Sequence, residues 1–138
     1  MNNLDSVSSY CILNADRLAF TDALFGINFP MRLEPTVFDM AGRLAPDYNG
    51  GYWQFYALSN GGFYMAPQSD TVFAVSCENG FEGQLSADAL GIAGCLYALS
   101  QLSFGEGVFA EKCAEHYHLL REFMMGHAEV RTILAAIN

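Results

Sequence analysis

A chain of 138 residues, 52% of them apolar, has the length of a single domain (1–138) and enough apolar surface to build a core without disulfides or metals. Its net charge of −9 reflects a shortage of bases, six Lys and Arg against 15 acids, so no stretch offers the basic patch that a phosphate backbone requires, and direct nucleic-acid binding is not expected. No run nears the ~18 apolar residues of a membrane span, and the N-terminus lacks the basic and apolar regions of a signal peptide, so the expected setting is cytoplasmic with no membrane partner.

In chain order, 15–25 reads as a short helix with Leu18 and Phe25 on one face, ended by Gly26. Pro35 suits the first position of a second helix, where its missing N–H costs nothing. Val37, Ala41 and Leu44 follow at helical spacing, Asp39 and Arg43 form an i,i+4 pair, and Pro46 stops the run. The period then changes from 3.6 to 2. Tyr52–Leu58, Gly62–Pro67 and Thr71–Cys77 read as three strands of an antiparallel meander, with Asn60-Gly61 supplying the positive φ angles of the first turn and 67–70 making the second. On the first strand Trp53, Phe55 and Ala57 make the natural core face, leaving Tyr52, Gln54 and Tyr56 half-wetted on the other.

The segment 80–83 reads as a loop. Ser86 is a good N-cap, with Leu85 and Leu90 placed as a hydrophobic staple. Between Ala87 and Leu102 the only polar residues are Asp88, Ser100 and Gln101, which predicts a helix buried nearly all round. A helix over about 108–125 turns Phe109, Cys113, Tyr117, Leu120 and Met124 inward and Glu111, Glu115 and Glu122 outward. Gly126 ends it, and a last amphipathic helix aligns Val130, Ile133, Leu134 and Ile137. The expected fold is α+β, about four helices around a three-stranded antiparallel β-meander.

Each chemical constellation meets a physical objection. Cys113, His116, His118 and His127 cluster, but His118 faces away from the first two on a helix and no second pair stands at zinc-like spacing, so they read as a core cysteine with surface or rim histidines. Cys77 is the best-placed nucleophile, yet its acidic surroundings raise a thiol pKa. Cys11, Cys77, Cys95 and Cys113 lie too far apart for a CxxC pair and read as reduced and mostly buried. Gly50-Gly51 and Gly61-Gly62 precede neither helix nor lysine, which argues against a phosphate cradle. The stripe Glu111, Glu115, Glu122, Glu129 is the best case for DNA mimicry, but Lys112, Arg121 and Arg131 interrupt it and a solvated helix face explains it. The residues therefore indicate no catalytic or metal site.

What stands out is the ribbon DYNGGYWQFYALSNGGFYMAP at 47–67, holding the single tryptophan and four of the seven tyrosines. Trp53, Phe55 and Phe63 belong to a core face. Tyr52, Tyr56 and Tyr64 are surplus on the other side, and exposed tyrosines beside a glycine-rich turn suit a protein-binding patch, unless helices cover both faces. With VFDMAGRLAPDYNGG leading into it at 37–51 and SADALGIAGCLYALSQLSF at 86–104, the ribbon closely resembles the antirestriction proteins of the ArdB/KlcA type, carried by plasmids and other mobile elements. The similarity runs from about Phe20 to the end. It implies a small mixed fold of several helices around a three-stranded antiparallel sheet, and interference with type I restriction–modification enzymes. It brings no catalytic residue, metal or cofactor. The implied partner is the type I restriction–modification complex or a host factor controlling it, and the candidate partner-binding residues are Tyr52, Tyr56, Asn60, Tyr64 and Asp47. An acidic DNA mimic and a Cys/His enzyme stay open as alternatives.

Overall fold

The computed structural model describes residues 6–138. Among them the fold is α+β, with five α-helices and two small antiparallel sheets in place of four helices and one meander. Strands β1 (Ser9–Cys11), β2 (Trp53–Leu58) and β3 (Phe63–Pro67) form the first sheet in that order, and β4 (Val72–Ser76) and β5 (Glu82–Ser86) form the second. The helices are α1 (Arg17–Phe25), α2 (Glu34–Leu44), α3 (Ala87–Ser103), α4 (Val108–Met124) and α5 (Val130–Ile137).

The β2–β3 hairpin forms as its pattern demands, with Trp53 opposite Pro67 and Tyr56 opposite Tyr64. Gly61 alone takes a positive φ, +93°, and the Asn60 side chain closes the turn by accepting the Gly62 N–H at 3.0 Å. The expected third strand does form over Val72–Ser76, but it pairs with β5. Two features keep it from β3. Pro67 ends β3 with a residue that has no N–H to donate, and helix α3 occupies the outer edge of that strand. There Cys95 Sγ accepts the Met65 N–H at 3.5 Å and donates to the Met65 carbonyl at 3.5 Å, standing where a fourth strand would. Such an approach needs a helix without a side chain at the contact. A Cβ on Gly91 would lie 2.4 Å from both Ala66 Cβ and the Met65 oxygen.

The segment 80–83, expected as loop, contributes to β5, and the turn tightens to Cys77–Phe81 with Asn79 Oδ1 accepting the Phe81 N–H. The place left in the first sheet goes to β1, three exposed residues fastened by Ser59 N–H to the Ser8 carbonyl and Ile12 N–H to the Phe55 carbonyl, both at 2.8 Å. Beneath the sheet the core is aromatic. Phe63 packs edge-on against Phe25 and Phe29 at 5.6 and 5.8 Å, and Phe29 against Phe55 at 5.6 Å. On α1 the inward pair is Thr21 and Phe25, whereas Leu18, expected beside Phe25, is 85% exposed. Ser86 caps α3 as expected, accepting the Ala89 N–H at 3.1 Å, with Leu85 and Leu90 fully buried.

Candidate functional site

Alternation along β2 places Gln54 and Tyr56 on the side of the first sheet away from the phenylalanine core, and Tyr52, the residue before the strand, lines one hollow with Gln54. Register adds Cys11 opposite Tyr56 from β1, and Tyr64 and Ala66 opposite Tyr56 and Gln54 from β3. This second side is open at β1 and closed at β3. Tyr52 is 47% exposed, and its hydroxyl hydrogen-bonds Asn14 Oδ1. Tyr56 is half-buried and donates to Gln54 Oε1 at 2.9 Å, an oxygen the Cys11 thiol also approaches at 3.6 Å.

Tyr64, expected to share that exposure, is 2% exposed. Helix α4 reaches over β3, and three nearly parallel rings result, Tyr56 at 4.7 Å and Phe123 at 5.5 Å from Tyr64. The Tyr64 hydroxyl donates to Asp88 Oδ1 at 2.7 Å. Burial, then that acceptor, push its pKa far above the phenol range. Asp88, in the first turn of α3, also meets His127 Nε2 at 2.8 Å, and His127 Nδ1 accepts the Glu129 N–H at 3.0 Å. The neutral ring is therefore an Nε2–H donor to Asp88. Burial raises the Asp88 carboxyl, but hydrogen bonds from His127 and Tyr64 outweigh it and leave the pKa lowered. For His127 the hydrogen bond with Asp88 outweighs burial and raises it. Glu129 accepts from Ser86 N–H at 3.0 Å and from the Ser86 hydroxyl, so that hydroxyl serves Glu129 and not His127. The network fastens β3, the start of α3 and the α4–α5 connection to one another.

Asn60 is likewise committed inward. Its Nδ2 donates to the Leu119 carbonyl at 2.9 Å and Glu122 Oε1 at 2.8 Å, bolting the hairpin to α4. Asp47 is exposed on the loop before β2, and its neighbour Tyr48 turns to the core side, accepting Trp53 Nε1–H at 2.7 Å. The five candidates thus divide into an open pair (Tyr52, Tyr56), two residues that brace it (Tyr64, Asn60) and one exposed charge.

Nothing in the sequence singles out Arg17. It sits at the first position of α1 and donates through Nη2 to the Trp53 carbonyl at 2.7 Å, the acceptor that β1 is too short to reach. Its Cζ lies 4.7 Å from the Tyr52 ring centroid and 4.5 Å from that of Phe55. His116, read as a surface or rim residue, is 2% exposed and packs on Phe25 at 4.7 Å with Nδ1 unpartnered, and burial lowers its pKa. Its spacing from Cys113 and Leu120, which share its buried face, was the available signal. Among the described residues no group of three or more His, Cys, Asp or Glu is placed to hold a metal ion. Cys77 borders a hollow of about 160 Å³ with Arg43, Glu78, Tyr97 and Gln101 but no histidine, and burial raises its thiol pKa.

Comparison with known proteins gives this architecture a family. The family model described as "Antirestriction protein" matches residues 46–138. Antirestriction protein KlcA of Escherichia coli is 44% identical over 132 residues, covering 92% of this chain and 90% of that protein. A second KlcA sequence from Escherichia coli is 41% identical over the full length of both chains. The uncharacterized protein YafX of Escherichia coli (strain K12) is 40% identical, covering 88% of this chain and 82% of its own. A solved structure from work on KlcA and ArdB, described as showing a novel fold and antirestriction activity against Type I DNA restriction systems in vivo but not in vitro, superposes with a TM-score of 0.90 at 42% identity across all of both chains. The chain belongs to the antirestriction protein family.

Proposed function

We propose that this chain antagonises type I restriction–modification in the cytoplasm, without catalysis, through contact with a protein. The observation carrying this reading is the full-length likeness to the structure described with antirestriction activity in vivo but not in vitro. A direct inhibitor works on purified components, so the contrast drawn for that relative favours a host factor controlling the restriction complex over the complex itself. The contact surface in this reading is the open side of β1 and β2, led by Tyr52 and Tyr56 with Asp47 as an outlying charge. Tyr64 and Asn60 act from behind, holding the Tyr56 ring and the hairpin.

Two observations favour protein contact over DNA mimicry. Of the acidic stripe, Glu129 is bonded to Ser86 and Glu122 to Asn60, which breaks up the run of free carboxylates a mimic needs. The test is the plating efficiency of unmodified phage on a type I restricting host. Expression of the chain should raise it by orders of magnitude. No rise with soluble, folded protein in the same cells would overturn the proposal.

A further inference from the structure

We infer that the hollow at Arg17 is a carboxylate-binding site. It opens beside β1 and encloses about 300 Å³ between Cys11, Asn14, Arg17, Tyr52, Gln54 and Gln68. Arg17 is the only charged residue lining it, and the remainder are neutral. The guanidinium is already oriented. Rings of Tyr52 and Phe55 lie against it, and the Trp53 carbonyl holds Nη2, so a ligand approaches the remaining donors edge-on. Guanidinium donors lie in one plane, and edge-on approach is the geometry in which they grip a carboxylate.

The cation is also unpaired, in a chain where acids outnumber bases 15 to six. Among the described residues Arg43 alone of the six bases pairs with a carboxylate, Asp39 at 3.1 Å, and Arg17 shares its lack of one with the other four; what sets it apart is the hollow of neutral residues it faces. Glu34 feels its charge from farther off, Arg17 Nε is buried and Nη2 is held by the Trp53 carbonyl, so the donors facing a ligand are those of Nη1 and the remaining hydrogen of Nη2. One cation among neutral amides balances one negative charge. A phosphate carries between one and two at neutral pH, and the excess would stand uncompensated on a protein of net charge −9. Side-chain amides of Asn14, Gln54 and Gln68 add neutral donors that suit carboxylate oxygens. Tyr52 belongs both to this hollow and to the proposed contact surface, so a carboxylate carried by a protein partner would deepen that reading. Binding by the isolated chain does not depend on it.

The experiment is a titration of the isotope-labelled full chain with acetate, a monocarboxylate, at constant ionic strength, chloride serving as control. The Arg17 guanidinium signals and the side-chain amide signals of Asn14, Gln54 and Gln68 should shift saturably with acetate and not with chloride. Equal response to both salts, or tighter binding of inorganic phosphate, overturns the inference. Because Arg17 also holds the Trp53 carbonyl, its replacement risks the fold, and Gln68→Glu is the better variant. It sets a carboxylate in the lining of the hollow, so acetate binding should fall at least tenfold with the melting temperature unchanged. Undiminished binding by folded Q68E overturns the site. An acetylated, amidated Glu-Gly-Gly peptide that binds more tightly than acetate identifies a protein side chain as the source, and weaker binding identifies a free small acid. If Q68E abolishes binding yet still protects phage, the site stands and the link to antirestriction fails.

Discussion

The first sheet has two edges treated in opposite ways. At β3 every residue is buried, the outer backbone is met by the Cys95 thiol, and Gly91 brings α3 within van der Waals contact. At β1 every residue is exposed, the strand is three residues long, and its ladder is extended by the Arg17 side chain. An unpaired strand edge invites another chain. The fold therefore hides one edge completely and blunts the other by shortness, and it places the open tyrosines on the blunted side. The contrast separates aromatic residues that hold the molecule together from those that stay open to solvent.

The contrast breaks most severely at Gly91. Gly91→Ala pushes a methyl into the Met65 carbonyl and Ala66, and should cost at least about 3 kcal/mol in urea denaturation, near the top of the range for overpacking. Tyr64→Ser empties the space between Tyr56 and Phe123 and strips Asp88 of a donor, for a loss of about 3 kcal/mol by the same measurement. Gly61→Val forces a β-branched residue to φ +93° and should cost about 2 kcal/mol.

Acid sharpens the comparison further, because His116 packs on the closed side against Phe25 and Phe63. Its folded pKa is lowered by burial, while the unfolded chain takes the proton near pH 6.5. Its contribution is thus full above that pH and is lost as pH falls, at up to about 1.4 kcal/mol per unit. His127 works in the other direction. Its raised pKa gives stability that is full below about pH 6.5 and lost as pH rises through the folded value. Asp88, lowered overall, adds a loss that begins only near pH 4. His116→Gln should flatten the melting profile just below pH 6.5. The smallest effect on stability belongs to Tyr52→Ser on the open side, below about 1 kcal/mol for a half-exposed cation–π partner. Phage protection should nevertheless fall sharply in that variant, and full protection would remove Tyr52 from the contact surface.

The hairpin, the helices and the Ser86 cap were legible because each rests on local signals, such as alternation, helical spacing, Pro35 or Asn60-Gly61. The pairing of β4 was not. Which strand edge stays free depends on where α3 lands, and that is a tertiary fact carried by Gly91 and Cys95. β1 was hidden for a related reason, since three residues are too few to show a period. The candidate site was half legible. Pattern placed Tyr56 and Tyr64 on one side, as their cross-strand pairing shows, but only packing could show that Phe123 covers Tyr64. Arg17 left no signal, because its role comes from meeting a strand 36 positions away.

The cysteine at the helix–strand seam also makes the molecule report on itself. Cys95 is fully enclosed, and burial pushes its pKa up to about 12, whereas Cys11 stands exposed on the blunted edge. A thiol reagent meets Cys11 at once. It reaches Cys95 only during excursions in which α3 lifts from β3, so labelling followed at Cys95 by peptide mapping, apart from the buried Cys77 and Cys113, times the opening of that seam under fully native conditions.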